Sequence, residues 1–267
     1  MAWFTSTLLR PVGSEQVDDD DGGAAFRSHQ KPIRLMPDRV PLDTGSANAE
    51  LIRLYEDAWP RLQQAREGYS GASGIHLPMI PDGYGGLPVR LAVVGQESKG
   101  WNAAETAREQ AALYPDDGHV RARQGTPFWR AAREVADGLN ECEDAPVLWA
   151  NLVAVDTGGR PPTELRDSVR EAVPPTGLLP RVLEAASPDA VVFFVGPDPY
   201  YAWELEQQFP GVRREAVDGC DERVLSRVVH PDLPTASFRS YHPRKLNYGD
   251  WNTVSDLARL IRQALQY

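Results

Sequence analysis

The sequence predicts an α/β fold, in which a central, mostly parallel sheet of four strands carries helices on both faces, in three α/β/α layers. Four short apolar runs, at residues 89–94, 147–153, 190–195 and 235–241, have the length and composition of buried strands. Stretches with helical spacing of apolar residues separate them, and this alternation is typical of parallel sheets covered on both faces. With 267 residues, the chain can bury such a core without disulfide or metal cross-links.

The folded domain is expected to span residues 46–267, after an N-terminal arm. Residues 1–45 mix glycine, proline and acidic residues without sustained periodicity, which indicates an extended or partly disordered segment. From Ser46 onward apolar residues recur on one helical face. Ser46 or Asn48 is the expected N-cap of this first helix.

Two later helices are predicted from apolar residues that recur every three or four positions. The first of them contains Phe128, Ala131, Ala132, Val135 and Leu139. The second closes the chain and contains Val254, Leu257, Ala258, Ile261 and Leu265. Each presents one apolar face, which the sheet is expected to cover.

The cysteines and the opening residues limit the function classes. Cys142 and Cys220 stand far apart and without a Cys-x-x-Cys motif, so thiolate ligands are too few for a zinc site or an iron–sulfur cluster. The first residues lack the features of a signal peptide, and no stretch approaches the ~20 apolar residues of a membrane span. We therefore expect a cytoplasmic protein with no metal, cofactor or membrane partner, and we take it to be a monomer.

Polar residues and turns follow the predicted strands. Glu97 comes after the first strand, Asn151 lies within the second, Gly196-Pro197 follows the third and His242-Pro243 follows the fourth. In parallel sheets ligands bind beyond the carboxyl ends of the strands, so we expect these residues to share one edge of the sheet. Taken singly, each also has an ordinary structural explanation as a helix cap, a buried polar group or a turn.

In this order the motifs resemble those of the uracil-DNA glycosylase superfamily. Gly95-Gln96-Glu97 is similar to the start of the family's first motif, Gly-Gln-Asp-Pro-Tyr-His, and His242-Pro243-x-x-Leu246 is similar to its last, His-Pro-Ser-Pro-Leu-Ser. The strand around Asn151 looks like the one that carries the family's base-reading asparagine. Gly125-Thr126-Pro127-Phe128 looks like the Gly-x-Pro-Phe that supplies a stacking ring. The resemblance covers roughly residues 88–265.

The resemblance implies a monofunctional DNA glycosylase, which flips a pyrimidine out of the helix and hydrolyses its glycosidic bond. Breaking that bond places positive charge on the sugar and negative charge on the departing base. The site therefore needs an anion beside the sugar and a hydrogen-bond donor beside the base. Glu97 is expected to be the anion and to activate water, and His242 is expected to be the donor. Asn151 and Gln96 would read the base, and Phe128 would stack on it.

The last motif is also expected to contact DNA. Leu246 would fill the gap left by the flipped base, while Arg244, Lys245 and Asn247 lie on the same loop, within reach of phosphates. The net charge of −10 is unusual for a protein that binds DNA. From Arg239 to the C-terminus, however, five residues are basic and two acidic, so positive charge is predicted to gather there.

The first motif departs from the family pattern in two ways. Glu97 is one methylene longer than the family's aspartate, which alters the position of the water. The Pro-Tyr-His that follows is replaced by Ser98-Lys99-Gly100, so the tyrosine that blocks the pyrimidine C5 position is missing. Ser98 and Lys99 would line a pocket open at C5, where Lys99 can donate to hydroxyl groups. The expected substrate is a C5-modified cytosine, as in a phage genome, or uracil, in antiviral defence or DNA repair.

Two other functions remain open. A non-catalytic protein of the same fold would bind nucleic acid or a modified base without cleaving it, which the overall acidity favours. A hydrolase of free nucleosides would need neither Leu246 nor its basic neighbours.

Several other residues receive an interpretation from the sequence. The segment Gly196-Pro197-Asp198-Pro199-Tyr200-Tyr201 is interpreted as the turn after the third strand, with Asp198 as an alternative catalytic acid. Trp101 is interpreted as a packing residue. His76, His119 and His230 are interpreted as surface residues.

Overall fold

The computed structural model of the chain describes residues 41–97, 100–114, 125–155, 167–169, 171, 177–246 and 252–266. Four residues with a predicted role or position lie outside these ranges: Ser98, Lys99, His119 and Asn247. Residues 1–40 of the predicted arm lie outside them as well, and the side chain of Leu246 is not described.

The described residues form one mixed sheet of six strands, two more than the sequence predicts. Its strands are β1 (Leu91–Glu97), β2 (Leu148–Val153), β3 (Ala190–Phe193), β4 (Arg213–Ala216), β5 (Leu225–Val229) and β6 (Ala236–Ser240). The strand order is β2-β1-β3-β6-β5-β4, and the first four of these are parallel to one another. These four are the predicted strands. β5 and β4 extend the sheet as an antiparallel pair, so the prediction of four strands is wrong in number.

The helices of the described residues are α1 (Thr44–Glu67), α2 (Ala107–Ala112), α3 (Pro127–Asn140), α4 (Leu178–Ala186), α5 (Pro199–Gln208), α6 (Pro243–Leu246) and α7 (Asn252–Leu265). They include all three helices predicted from apolar spacing. The N-cap of α1 is Asp43, whose carboxylate accepts from the backbone nitrogens of Gly45 and Ser46. The expected cap at Ser46 or Asn48 is therefore wrong, because the helix begins at Thr44.

Helices cover both faces of the sheet. Successive strand residues point to opposite faces, so Ala92 and Val94 pack in one buried cluster and Val93 in another. The first cluster contains residues of α1, α4 and α5, and the second contains residues of α3 and α7. Burial on both sides explains why the central strands are continuous apolar runs.

Neither a membrane-spanning helix nor a cluster of metal-binding side chains is present among the described residues. No described helix combines the length and the apolar character that crossing a membrane requires. In the same ranges, no three or more His, Cys, Asp or Glu side chains are grouped in a way that suits a metal ion.

Candidate active site

The candidate site lies at the carboxyl ends of the parallel strands. In the register of the sheet Gly95 of β1 is opposite Asn151 of β2. β3 lies between β1 and β6, and just beyond its end the Gly196 nitrogen donates to the Ser240 carbonyl of β6 at 2.9 Å. The topology therefore brings the four predicted strand-end motifs to one edge of the sheet, as the sequence predicts.

Gly95 allows Asn151 and Phe128 to meet over β1. A Cβ atom added to Gly95 would lie 2.5 Å from Asn151 Oδ1 and 3.4 Å from Phe128 Cε2. Both side chains therefore occupy the space next to this glycine, one from the neighbouring strand and the other from the start of α3. A side chain at position 95 would exclude at least one of them.

The side-chain amide of Asn151 is held in one orientation. Trp149 Nε1 lies 3.2 Å from Asn151 Oδ1, and an indole N–H can only donate, so the atom facing it must be the amide oxygen. Asn151 Nδ2 then faces His76 Nδ1 at 3.3 Å and donates to it. The side chain of Asn151 is only 7% exposed. This network fixes which end of the amide accepts and which end donates.

The interpretation of His76 as a surface residue is wrong. His76 is 1% exposed and lies among the aromatic rings of Trp101, Tyr114 and Trp149. Its sequence neighbours Ile75 and Leu77 are also buried, and this apolar context is the signal in the sequence that indicates burial. Trp101 is 3% exposed in the same cluster, which confirms it as a packing residue.

His242 lies against Phe128 and carries its proton on Nε2. The two rings are stacked, with centroids 6.0 Å apart and planes 25° from parallel. The backbone nitrogen of Arg244 donates to His242 Nδ1 at 3.2 Å, so this ring nitrogen accepts and the neutral ring is protonated at Nε2. Burial, with the nearby charge of Arg244 as a second cause, lowers the pKa of His242 to about 4. At neutral pH the ring is an uncharged donor.

This state of His242 has a measurable pH dependence. The pKa of the ring is lowered from 6.5 to about 4 in the folded protein. The stability that comes from the neutral ring is present above pH 6.5 and is lost as the pH falls toward 4, because only the unfolded chain takes up the proton there. In nitrogen-15 spectra at pH 5.5 we expect His242 to show a neutral, Nε2-protonated ring in the folded protein and a mostly protonated ring in urea. A folded-state titration midpoint near 6.5 would contradict this.

Glu97 contacts a tyrosine that the sequence analysis did not assign to the site. Tyr201 Oη donates to Glu97 Oε2, and the two residues are 104 positions apart in the chain. Tyr201 lies in the first turn of α5, whose N-cap is Asp198. The carboxylate of Asp198 accepts from the backbone nitrogen of Tyr200 at 2.9 Å, so Asp198 has a structural role. The turn predicted after the third strand is present.

Gln96 makes a contact within the protein, whereas two of the basic residues predicted to bind DNA are exposed. Gln96 Nε2 donates to the Val195 carbonyl at 3.0 Å, so part of this side chain binds the turn that follows β3. Arg244 and Lys245 are exposed on α6, directly after His242. The structure describes no side-chain placement for the other predicted contacts, Ser98, Lys99, Leu246 and Asn247.

Three of the five basic residues counted in the C-terminal region are buried or paired with acidic residues. Arg239 is 2% exposed and donates to Ser226 Oγ at 3.0 Å and to the Glu222 carbonyl. Ion pairs occupy Arg259, with Asp256 at 3.0 Å, and Arg262, with Glu141 at 3.2 Å. Arg239 in particular cannot contact DNA from inside the sheet. The expected gathering of five basic residues therefore reduces to Arg244 and Lys245 beside His242, with Arg259 still exposed in its ion pair on α7.

Comparison with known proteins found no family model that matches this chain and no curated protein that matches it significantly.

Proposed function

We propose that the protein is a DNA glycosylase that removes a flipped pyrimidine base and leaves an abasic site. The observation that carries the proposal is the position of Phe128. Its ring stacks on His242, and its edge reaches Gly95 beside Asn151. The ring thus has a neutral imidazole donor against its face and a fixed amide beside its edge, and these groups suit the recognition of a base.

The proposed reaction is hydrolysis at the sugar C1′ atom. The glycosidic C–N bond breaks and its electron pair leaves with the base, while the Glu97 carboxylate stabilises the positive charge on the sugar. His242 Nε2–H donates to a base carbonyl as negative charge develops there. Water attacks C1′ and gives a proton to Glu97, which then releases it to neutralise the departed base anion, so that the products are the free base and an abasic sugar. A neutral histidine suits this role because it donates without first having to be protonated.

Because the amide of Asn151 is fixed, the proposed site can match only one of two classes of base. Uracil and its derivatives present N3–H as a donor and O4 as an acceptor, whereas cytosine derivatives present the reverse pattern. An amide free to rotate would fit both, but Trp149 holds Asn151 Oδ1 in one place. We therefore expect release of 4-oxo or of 4-amino pyrimidines, with one class strongly preferred.

A panel of duplex and single-stranded oligonucleotides tests this function. Each carries one uracil, 5-hydroxymethyluracil, 5-hydroxymethylcytosine or glucosylated 5-hydroxymethylcytosine, and abasic sites are detected by alkaline cleavage. We expect cleavage within one of the two classes, with C5-substituted bases processed at least as fast as unsubstituted ones. Release of uracil alone would contradict a modified substrate, and no cleavage of any strand would contradict the glycosylase proposal.

A non-catalytic binding protein is the second candidate. It is favoured by the meeting of Phe128 and Asn151 over Gly95, which recognition of a base needs, because recognition alone makes no use of the Glu97 carboxylate. Such a protein would shift modified DNA in a gel and leave it stable to alkali. The same panel therefore separates the two candidates.

A further inference from the structure

We infer that Tyr201 is a positioning residue. From the first turn of α5, it sets the orientation of the Glu97 carboxylate. This inference rests on the proposed function, in which Glu97 acts on the sugar and on water. From the sequence, Tyr201 is assigned only to the turn after the third strand and has no role in the chemistry.

The contact between the two side chains is well defined. Tyr201 Oη donates to Glu97 Oε2, and Tyr201 is only 4% exposed, so packing holds its ring. Burial first, and then the hydrogen bond and charge of Glu97, raise the pKa of the Tyr201 hydroxyl far above its usual range. The hydroxyl therefore keeps its proton and remains a donor across the pH range of any assay.

A glutamate at this position has a particular need for such a contact. Glu97 is the last residue of β1 and is half-buried, so the strand fixes its backbone but not the end of its side chain. Its three side-chain torsions give the carboxylate many orientations, and catalysis requires one of them. A donor on Oε2 selects the rotation of the carboxylate and stabilises its charged form.

The turn between β3 and α5, the helix that contains Tyr201, also contacts the His242 side of the site. Gly196 has a φ of 72°, which favours glycine, and a Cβ added there would lie 3.5 Å from Tyr241 Cδ1 and 4.0 Å from the His242 nitrogen. Two residues later Asp198 caps α5 and so fixes the first helical turn, in which Tyr201 lies. Because β3 lies between β1 and β6, this turn links the positions of Glu97 and His242.

Among the described residues, the other groups that act electrostatically on Tyr201 lie in the same segment of the chain. Asp198 and Tyr200 both act on Tyr201, and their effect, like that of Glu97, is to keep its hydroxyl protonated. His242, beyond the turn, is neutral above about pH 4. Changes in rate between pH 5 and 8 therefore do not come from Tyr201 or His242.

Kinetics of Tyr201→Phe on the excised substrate test the inference. Losing one hydrogen bond to a charged group is expected to lower kcat about tenfold to a hundredfold, with KM little changed. The acidic limb of the pH–rate profile should move to higher pH. Tyr84→Phe, which removes the hydroxyl of another buried tyrosine, in the short 3-10 helix before β1, is the matched control and should change neither quantity. In a Glu97→Gln background Tyr201→Phe should change the residual rate by less than about twofold.

A measurement without substrate separates failure of this inference from failure of the proposed function. The carboxyl carbon of Glu97 is followed by carbon-13 spectroscopy during a pH titration of the wild type and of Tyr201→Phe. We expect the midpoint to rise by about one pH unit in the variant. An unchanged midpoint, or an equal loss of rate with and without the Glu97 carboxylate, would overturn the role of Tyr201. A raised midpoint in a protein that cleaves nothing would leave that contact standing and overturn only the glycosylase.

Discussion

Glu97→Gln is expected to lower the rate of base excision about a thousandfold, the range typical of a lost catalytic acid or base. Glutamine has the same length and keeps an oxygen that can accept from Tyr201. It removes only the negative charge and the ability to take a proton from water. The fold and the affinity for DNA should therefore stay unchanged, and single-turnover excision together with a binding titration measures both quantities.

Two further variants make this result specific. Glu215→Gln removes a carboxylate from the exposed edge strand β4 and controls for the general effect of one less negative charge on DNA binding. Asp198→Asn should retain activity within a few-fold, because asparagine also caps helices. Loss of activity in Asp198→Asn with full activity in Glu97→Gln would move the catalytic acid to the turn after β3.

Gly95→Ala is expected to abolish excision and to destabilise the fold by about 1–3 kcal/mol, as overpacking in a core does. The added Cβ would lie 2.5 Å from Asn151 Oδ1, well inside van der Waals contact. Asn151 cannot simply rotate away, because Trp149 and His76 hold both ends of its amide. Urea unfolding measures the loss of stability, and excision at saturating enzyme measures the loss of activity.

Gly86→Ala is the matched control for this substitution. A Cβ added to Gly86 meets no atom within 4 Å, so the variant should be as stable and as active as the wild type. A Gly95→Ala protein that excises at the wild-type rate would show that Asn151 and Phe128 do not need to meet over β1.

The parallel strands could be predicted because each is buried on both faces and so is apolar throughout. The antiparallel extension could not be predicted in the same way. All four residues of β4 are exposed, and Arg213, Arg214 and Glu215 show no alternation between apolar and polar side chains. β5, with Leu225 and two valines, carries a stronger strand signal in its sequence.

The site could be predicted in part for a similar reason. Strand ends are local features, so Glu97, Asn151 and His242 could be assigned to one edge of the sheet from their order alone. The partners of these residues depend on tertiary packing. Tyr201, 104 positions from Glu97, and His76, 75 positions from Asn151, have no sequence pattern that joins them. A count of charges likewise gives no sign that Arg239 is buried.

The mass of the DNA product tests the central claim most directly. An oligonucleotide with one modified pyrimidine is incubated with the wild-type protein, and the intact strand and the released small molecules are weighed by mass spectrometry. A glycosylase yields an unbroken strand that has lost one base and gained a hydroxyl group, together with one equivalent of free base. An unchanged strand that is nevertheless bound by the protein would contradict base excision and leave the protein as a binder of modified DNA.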